Sequence, residues 1–347
     1  MIKDKQKESN FELMRIISMF LIVLYHVIYH SNIIFNSYYT SSKIILTLIE
    51  VFTLVGVNSF ILLTGYFQSK STFKIKKIIN IIIQFLFYKI FIYIILSLFN
   101  IVPFTKTYIF NYLFPEELEY WFISYYIILY LISDFLNKII KKMNFKIYTI
   151  IIIGLTFLLS VTPMISNGIV IRNNGFGLIQ FIYLYFVGAY IRLFTTKYDL
   201  KNNKIKFISL SSYILLSILI VLIYYFILNI NINNNLINGI KNYSFLYSSP
   251  FVIIQSISYF LLFYNLNINS KFINNISKYI LGVYLIHDNS LVRNLLSNFI
   301  SNSINYTSTF NIIILVFTYS IIIFICSYLI NYFIIKIFTY KKDNQAI

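Results

Sequence analysis

The chain has 347 residues, of which 59% are hydrophobic and 11% charged, with a mean hydropathy of +0.77. That composition excludes a soluble globular protein. The net charge of +17 invites a nucleic-acid reading, but the lysines sit in short connections between apolar runs, where the positive-inside rule puts them. No nucleic-acid partner is expected.

Apolar windows of about 20 residues, the length that crosses a bilayer, predict spans at roughly 11–31, 44–67, 78–101, 120–138, 147–164, 176–194, 207–229, 246–264, 277–299 and 309–338. The expected fold is an all-α polytopic membrane protein with about ten transmembrane helices, residues 1–347 forming a single integral-membrane domain. With the N-terminus inside, 21 of the 28 Lys and Arg residues fall on the cytoplasmic side and four outside. Both termini are therefore assigned to the cytoplasm and the protein to the cytoplasmic membrane. The first run carries Glu12, Arg15 and His26 without a small-residue cleavage site, so it is expected to remain as a helix. The last span is overlong, and its end is expected to lie along the interface. The lone Cys326 excludes an internal disulfide or a cysteine metal cluster, and no metal is expected.

In span one, Arg15 and His26 are eleven residues apart. That spacing leaves them about 20° apart around a helix and about 16 Å apart along it. Glu12 and His30 fall within about 40° of His26, completing a polar stripe. Ionisable groups in lipid are costly and usually mark a pathway or an active site. Arg15 presents a planar fork suited to phosphate oxygens, with a snorkelling or Glu12-paired arginine as the plainer reading. His26 suits proton transfer near neutral pH, or transient acyl carriage, with a structural hydrogen bond as the alternative. A long anionic cofactor entering from the cytoplasm would match this layout.

Span two carries Glu50 and Asn58, followed by the basic run Lys70-Ser-Thr-Phe-Lys74-Ile-Lys76-Lys77, which either holds phosphates or simply signals topology. Lys89 of span three is expected to pair with Glu50 by depth. The connection 102–119 holds Glu116, Glu117 and Glu119, and Asn229 to Asn235 is a low-complexity loop. Trp121, the single tryptophan, is either an interfacial anchor or a pocket wall. In span nine, His287, Asp288, Asn289 and Arg293 form a second polar cluster that is hard to place against lipid.

The order and spacing of these motifs resemble the membrane-bound acyltransferase family 3, which includes bacterial O-acetyltransferases of surface polysaccharides. The matching elements are Glu12-Leu-Met-Arg15 with His26, and Asn58-Ser-Phe-Ile-Leu-Leu-Thr-Gly65-Tyr-Phe with the basic loop. Trp121-Phe-Ile with Tyr130 and Tyr279-Ile-Leu-Gly-Val-Tyr284-Leu-Ile-His287 complete the set. The resemblance implies acetyl-CoA as cytoplasmic donor and an acceptor at the outer face, here a hydroxyl of a surface or lipid-linked glycan. It places catalysis on His26 and CoA binding on Arg15, Lys74 and Lys77. Glu12, Asn58 and Trp121 are expected near the substrate pocket. The loop has lysines where many relatives carry arginines, and lysine holds phosphate as a point charge without the bidentate fork. The rival reading, a glycan or lipid-linked sugar flippase, accounts for intramembrane polar residues but not for the Arg15–His26 spacing.

Overall fold

A computed structural model describes residues 8–113, 119–194, 200–228, 234–304 and 308–344, with side chains to residue 337. Glu116, Glu117, residues 229–233 of the low-complexity loop, and Lys3, Lys5, Lys7 and Lys197 lie outside the described residues. Every regular element among the described residues is helical.

The principal helices are α1 (Ser9–His30), α2 (Thr40–Thr53), α3 (Val55–Gln68), α4 (Ile75–Leu98), α5 (Lys106–Leu113) and α6 (Trp121–Lys142). They continue as α7 (Phe145–Thr156), α8 (Leu178–Phe194), α9 (Asn203–Leu228), α10 (Pro250–Tyr264), α11 (Ile280–His287), α12 (Ser290–Ser303) and α13 (Thr309–Asn344). Among the described residues, seven stretches are long and apolar enough to cross a membrane: Ser9–His30, Thr40–Gln68, Ile75–Leu98, Trp121–Lys142, Phe145–Ser166, Asn203–Ile227 and Thr309–Ile337. The expected spans 176–194 and 246–264 are the shorter apolar helices Leu178–Phe194 and Pro250–Tyr264. The chain is thus a multi-pass membrane protein.

Two expectations are revised. The interval 277–299 is not one helix: it breaks after His287 and restarts at Ser290. Asn289 caps the new helix, its side chain accepting from the Leu291 N–H at 3.1 Å. A side-chain oxygen that satisfies a first-turn donor stabilises such a restart. The terminal helix, expected to span 309–338, runs unbroken from Thr309 to Asn344.

The chain divides into two compact units. One comprises residues up to Ile22, Thr47–Lys74 and Trp121–Ser270. Its centre is α3 against α8. A methyl group added at Gly65 would overlap the Tyr185 carbonyl, and one at Gly188 the Leu62 carbonyl. Small residues let helix backbones approach this closely where lipid supplies no hydrophobic drive. Polar pins reinforce the contact: Asn137 Nδ2 donates to the Gln68 carbonyl at 2.9 Å, and Tyr185 Oη to Asn137 Oδ1 at 2.7 Å. The stretch Phe145–Ser166 passes through a π-helical turn at Phe157–Val161 just before Pro163. Proline cannot donate to the carbonyl four residues back; Asn173 Nδ2 satisfies that Leu159 oxygen instead, at 2.9 Å.

The second unit comprises Val23–Leu46, Ile75–Tyr120 and the residues from Lys271 onward. All of α11 except Leu281 is buried. Asn331 of α13 holds it, donating to the Tyr279 carbonyl at 2.7 Å and accepting the Tyr88 hydroxyl from α4. Gly282 leaves the room that the Asn331 amide needs. Outer faces are apolar instead. Ile79, Ile83, Leu86, Ile90 and Ile94 of α4 are exposed, and 22% of the apolar window of α4 is buried, against 56% for α1. Exposed aliphatic rows of this kind suit lipid contact.

Candidate active site

α1 is continuous from Ser9 to His30, so Arg15 and His26 keep the helical spacing that the sequence implies. The polar cluster of span nine meets the upper end of this stripe within the second unit. His26 Nδ1 lies 3.0 Å from His287 Nε2 and 3.5 Å from Asp288 Oδ1. Arg293 Nη1 reaches Asp288 Oδ1 at 3.2 Å. His287 Nδ1 lies 2.7 Å from the Val283 carbonyl oxygen, one turn back on α11.

These contacts assign the tautomers. A carbonyl oxygen only accepts, so His287 Nδ1 carries the proton and, in a neutral ring, Nε2 holds a lone pair. His26 Nδ1 must then donate to it, with the Asp288 carboxylate as a further acceptor on the same side. The remaining nitrogen of neutral His26, Nε2, is unprotonated and can take a proton or attack a carbonyl carbon. His26 is 18% exposed on its side chain, while Asp288 is 5% exposed. His30 stands 5.0 Å from His26 between ring centroids. A cavity of about 20 Å³, lined by His26, His30, His287, Arg293 and Ser297 among others, adjoins them. It has room for about one water. Ligand atoms of His26, His30 and Asp288 lie within 4.8 Å of one another, which is close enough to share a cation. The Arg293 guanidinium already on Asp288 opposes a second positive charge there, so the donor set fits proton transfer better than a resident metal.

The helix break that orients His287 is itself anchored. Ser290 N–H donates to Glu119 Oε1 at 2.7 Å, and Lys89 Nζ pairs with Glu119 Oε2 at 2.8 Å, both side chains being nearly inaccessible. Lys89 therefore has Glu119 as its partner rather than the expected Glu50. Asn289 Nδ2 donates to Tyr112 Oη at 2.7 Å, and Tyr112 donates to the Lys89 carbonyl at 3.1 Å. Burial pushes the Tyr112 phenol above its usual range, which keeps it a donor. Tyr120 Oη donates to the Leu285 carbonyl at 3.0 Å. Lys89, Glu119, Tyr112 and Asn289 form a scaffold that sequence reasoning missed. Asn289 carried the only local signal, a capping residue at a helix start.

The remaining predicted residues divide between exposed or partly exposed cations and buried or packed side chains. Arg15 Nη1 pairs with Glu12 Oε1 at 2.5 Å, and its guanidinium lies 5.6 Å from the Phe67 ring centroid. Glu12 is 8% exposed on its side chain and Arg15 32%. Lys74 and Lys77 are exposed. The loop before them is held by span four, Tyr130 Oη accepting the Lys74 N–H and Asp134 that of Phe73, each at 3.2 Å. Asn58 is buried, and its amide donates to the Tyr247 carbonyl at 3.0 Å and to Ser256 Oγ at 3.2 Å. Trp121 packs against Phe176 at 4.9 Å and Phe181 at 5.9 Å. Both lie in the first unit, Asn58 buried and Trp121 half-buried.

Comparison with curated proteins found no match, and comparison with solved structures found none. A family profile described as an acyltransferase domain, that of acyltransferase family 3, matches residues 8–335. That match takes in α1 with its histidine, the basic loop, and the broken helix pair of α11 and α12 in one stretch, and the chain belongs to acyltransferase family 3.

Proposed function

We propose that this membrane acyltransferase moves an acetyl group from acetyl-CoA, drawn from the cytoplasm, to a hydroxyl of an extracytoplasmic or lipid-linked glycan. The orientation is that of an inside N-terminus in the cytoplasmic membrane. The observation that carries the reading is the hydrogen-bond chain from the Val283 carbonyl through His287 to His26 Nδ1, which leaves His26 Nε2 as the base.

His26 Nε2 removes the proton of the acceptor hydroxyl as its oxygen forms the ester bond to the acyl carbon. The carbon–sulfur bond breaks, His26 returns the proton to the departing thiolate, and the starting tautomer is restored. The Asp288 carboxylate, 3.5 Å from Nδ1, compensates the positive charge that His26 carries between these steps. Arg15, with Lys74 and Lys77, holds the diphosphate of the donor. A pantetheine arm of about a dozen bonds reaches roughly 15 Å, similar to the rise of about 16 Å along α1 from Arg15 to His26.

The test is transfer of radiolabelled acetyl from acetyl-CoA to membrane glycan, in wild type and in equally expressed His26→Ala. Label that vanishes in the variant supports the reading. Equal label in both removes His26 from the chemistry. No label in either, with acceptor demonstrably present, returns the flippase reading.

A further inference from the structure

The first unit holds a second polar cavity, of about 450 Å³, that the acyl-transfer chemistry does not use. Its wall includes Asn10 on the first turn of α1, Tyr66 at the end of α3, Arg192 at the end of α8, and Tyr264, Lys201 and Asn269. Arg192 lies across the Tyr66 ring, its Cζ 4.6 Å from the centroid and its Nη1 donating to Tyr66 Oη at 2.7 Å. The wall is already assembled. Ser9 Oγ accepts the Ser270 N–H at 3.0 Å, and Asn10 Nδ2 donates to the Phe263 carbonyl at 3.1 Å. These bonds fix the start of α1 against the end of α10 and the residues that follow it. The lining carries two cations, Arg192 and Lys201, against one carboxylate, Glu8.

A preformed cavity with net positive charge, amide side chains and the partly exposed Tyr264 ring matches a phosphorylated purine nucleotide: cations for phosphate, a ring face for the base. We infer that this cavity binds the adenosine 3′,5′-bisphosphate end of the acyl donor, an inference that rests on the CoA reading above. Asn10 precedes Arg15 by five residues, which is about 7.5 Å along the helix. The two side chains also lie about 140° apart around the helix, so a nucleotide beside Asn10 brings the diphosphate to the height of Arg15 and the donor must then wrap around α1 to reach its guanidinium. In this arrangement Arg192 and Lys201 set donor affinity and take no part in the acyl step.

The experiment titrates adenosine 3′,5′-bisphosphate into detergent-solubilised full-length protein at fixed ionic strength, with acetyl-transfer kinetics measured in parallel. Arg192→Gln and Lys201→Ala are each expected to weaken binding about tenfold and to raise the KM for acetyl-CoA by a similar factor with kcat retained. Lys201 is exposed, so Lys201→Ala and Lys201→Glu carry the test if Arg192→Gln fails to fold. Absence of bisphosphate binding to wild type at millimolar concentration overturns the inference. So does displacement of bound nucleotide by phosphatidylglycerol vesicles with equal strength in wild type and variants, which would make the cavity a lipid-headgroup site. His26-dependent acetyl transfer with an unchanged KM in the variants removes the cavity and leaves the transferase. Variant-sensitive nucleotide binding without any acetyl transfer keeps the cavity and removes the transferase.

Discussion

Around His26 the free space is about 20 Å³, and ring nitrogens, a carboxylate and a guanidinium meet at 3.0 to 3.5 Å. Beside Arg192 the free space is about 450 Å³, and polar groups already held by their own hydrogen bonds border an open volume. The difference separates two tasks. Proton transfer needs fixed partners at hydrogen-bond distance in a site of low dielectric. Holding a large charged ligand needs room, dispersed cations and faces to stack on. A chain that does both places them in different packing environments, and substitutions in the two should fail differently: kcat for the first, KM for the second.

The largest expected effect is at His26. Removing a general base costs typically 10²- to 10⁴-fold, so His26→Ala is expected to lower kcat by about 10³ without changing the KM for acetyl-CoA. Steady-state transfer in membranes with matched expression measures this, and a change confined to KM would move His26 from the chemistry to binding.

Next in size is the buried Lys89–Glu119 pair. Breaking such a pair leaves one charge uncompensated and costs about 3–5 kcal/mol. Glu119→Gln is therefore expected to lower the unfolding midpoint sharply, with Lys89→Met/Glu119→Gln together recovering much of the loss. Thermal unfolding in detergent reads both. If Glu119→Gln is as stable as wild type, the pair does not anchor the helix break.

His287 comes third. Its role here is to hold the His26 tautomer, so His287→Ala is expected to reduce kcat by about 10²-fold. His287→Gln, whose side-chain carbonyl can accept the Nδ1 proton of His26, should recover part of the rate. A merely structural role predicts instead that unfolding midpoint and rate fall together and that the pH–rate profile keeps its shape. A displaced profile at unchanged stability supports the positioning role.

What the sequence made legible follows from where the information lies. The stripe of Glu12, Arg15, His26 and His30 is a helical periodicity, and one unbroken helix preserves it. Family membership was legible for the same reason, through motifs in chain order. The interval 277–299 was misjudged because a 20-residue apolar window averages over a break that two residues, Asp288 and Asn289, produce. Lys89 was assigned to Glu50 because depth counting ignores which connection folds back on which helix. Glu119 sits in the connection 102–119, where the sequence pattern assigns it no partner, and its carboxylate is buried against Lys89 and the Ser290 N–H. Arg192 and Lys201 were counted only as topology charges, and nothing local marks a cavity formed by five separated segments.

The smallest expected effect sharpens the comparison most, because Arg15 is the binding residue on the helix that also carries the base. Its guanidinium is already paired with Glu12, so a phosphate must share or replace that carboxylate. Exposed ion pairs contribute little, with a median of about 0–1 kcal/mol, and Arg15 is partly exposed. The net gain from a phosphate contact is accordingly modest. Arg15→Ala is expected to raise the KM for acetyl-CoA by about three- to tenfold with kcat unchanged. Arg15→Lys should fall between, since it keeps the charge and loses the fork. Glu12→Gln should move KM the other way, by releasing Arg15 for phosphate. If Glu12→Gln raises KM instead, the carboxylate aims Arg15 rather than competing for it, and the pair is one preorganised anion clamp.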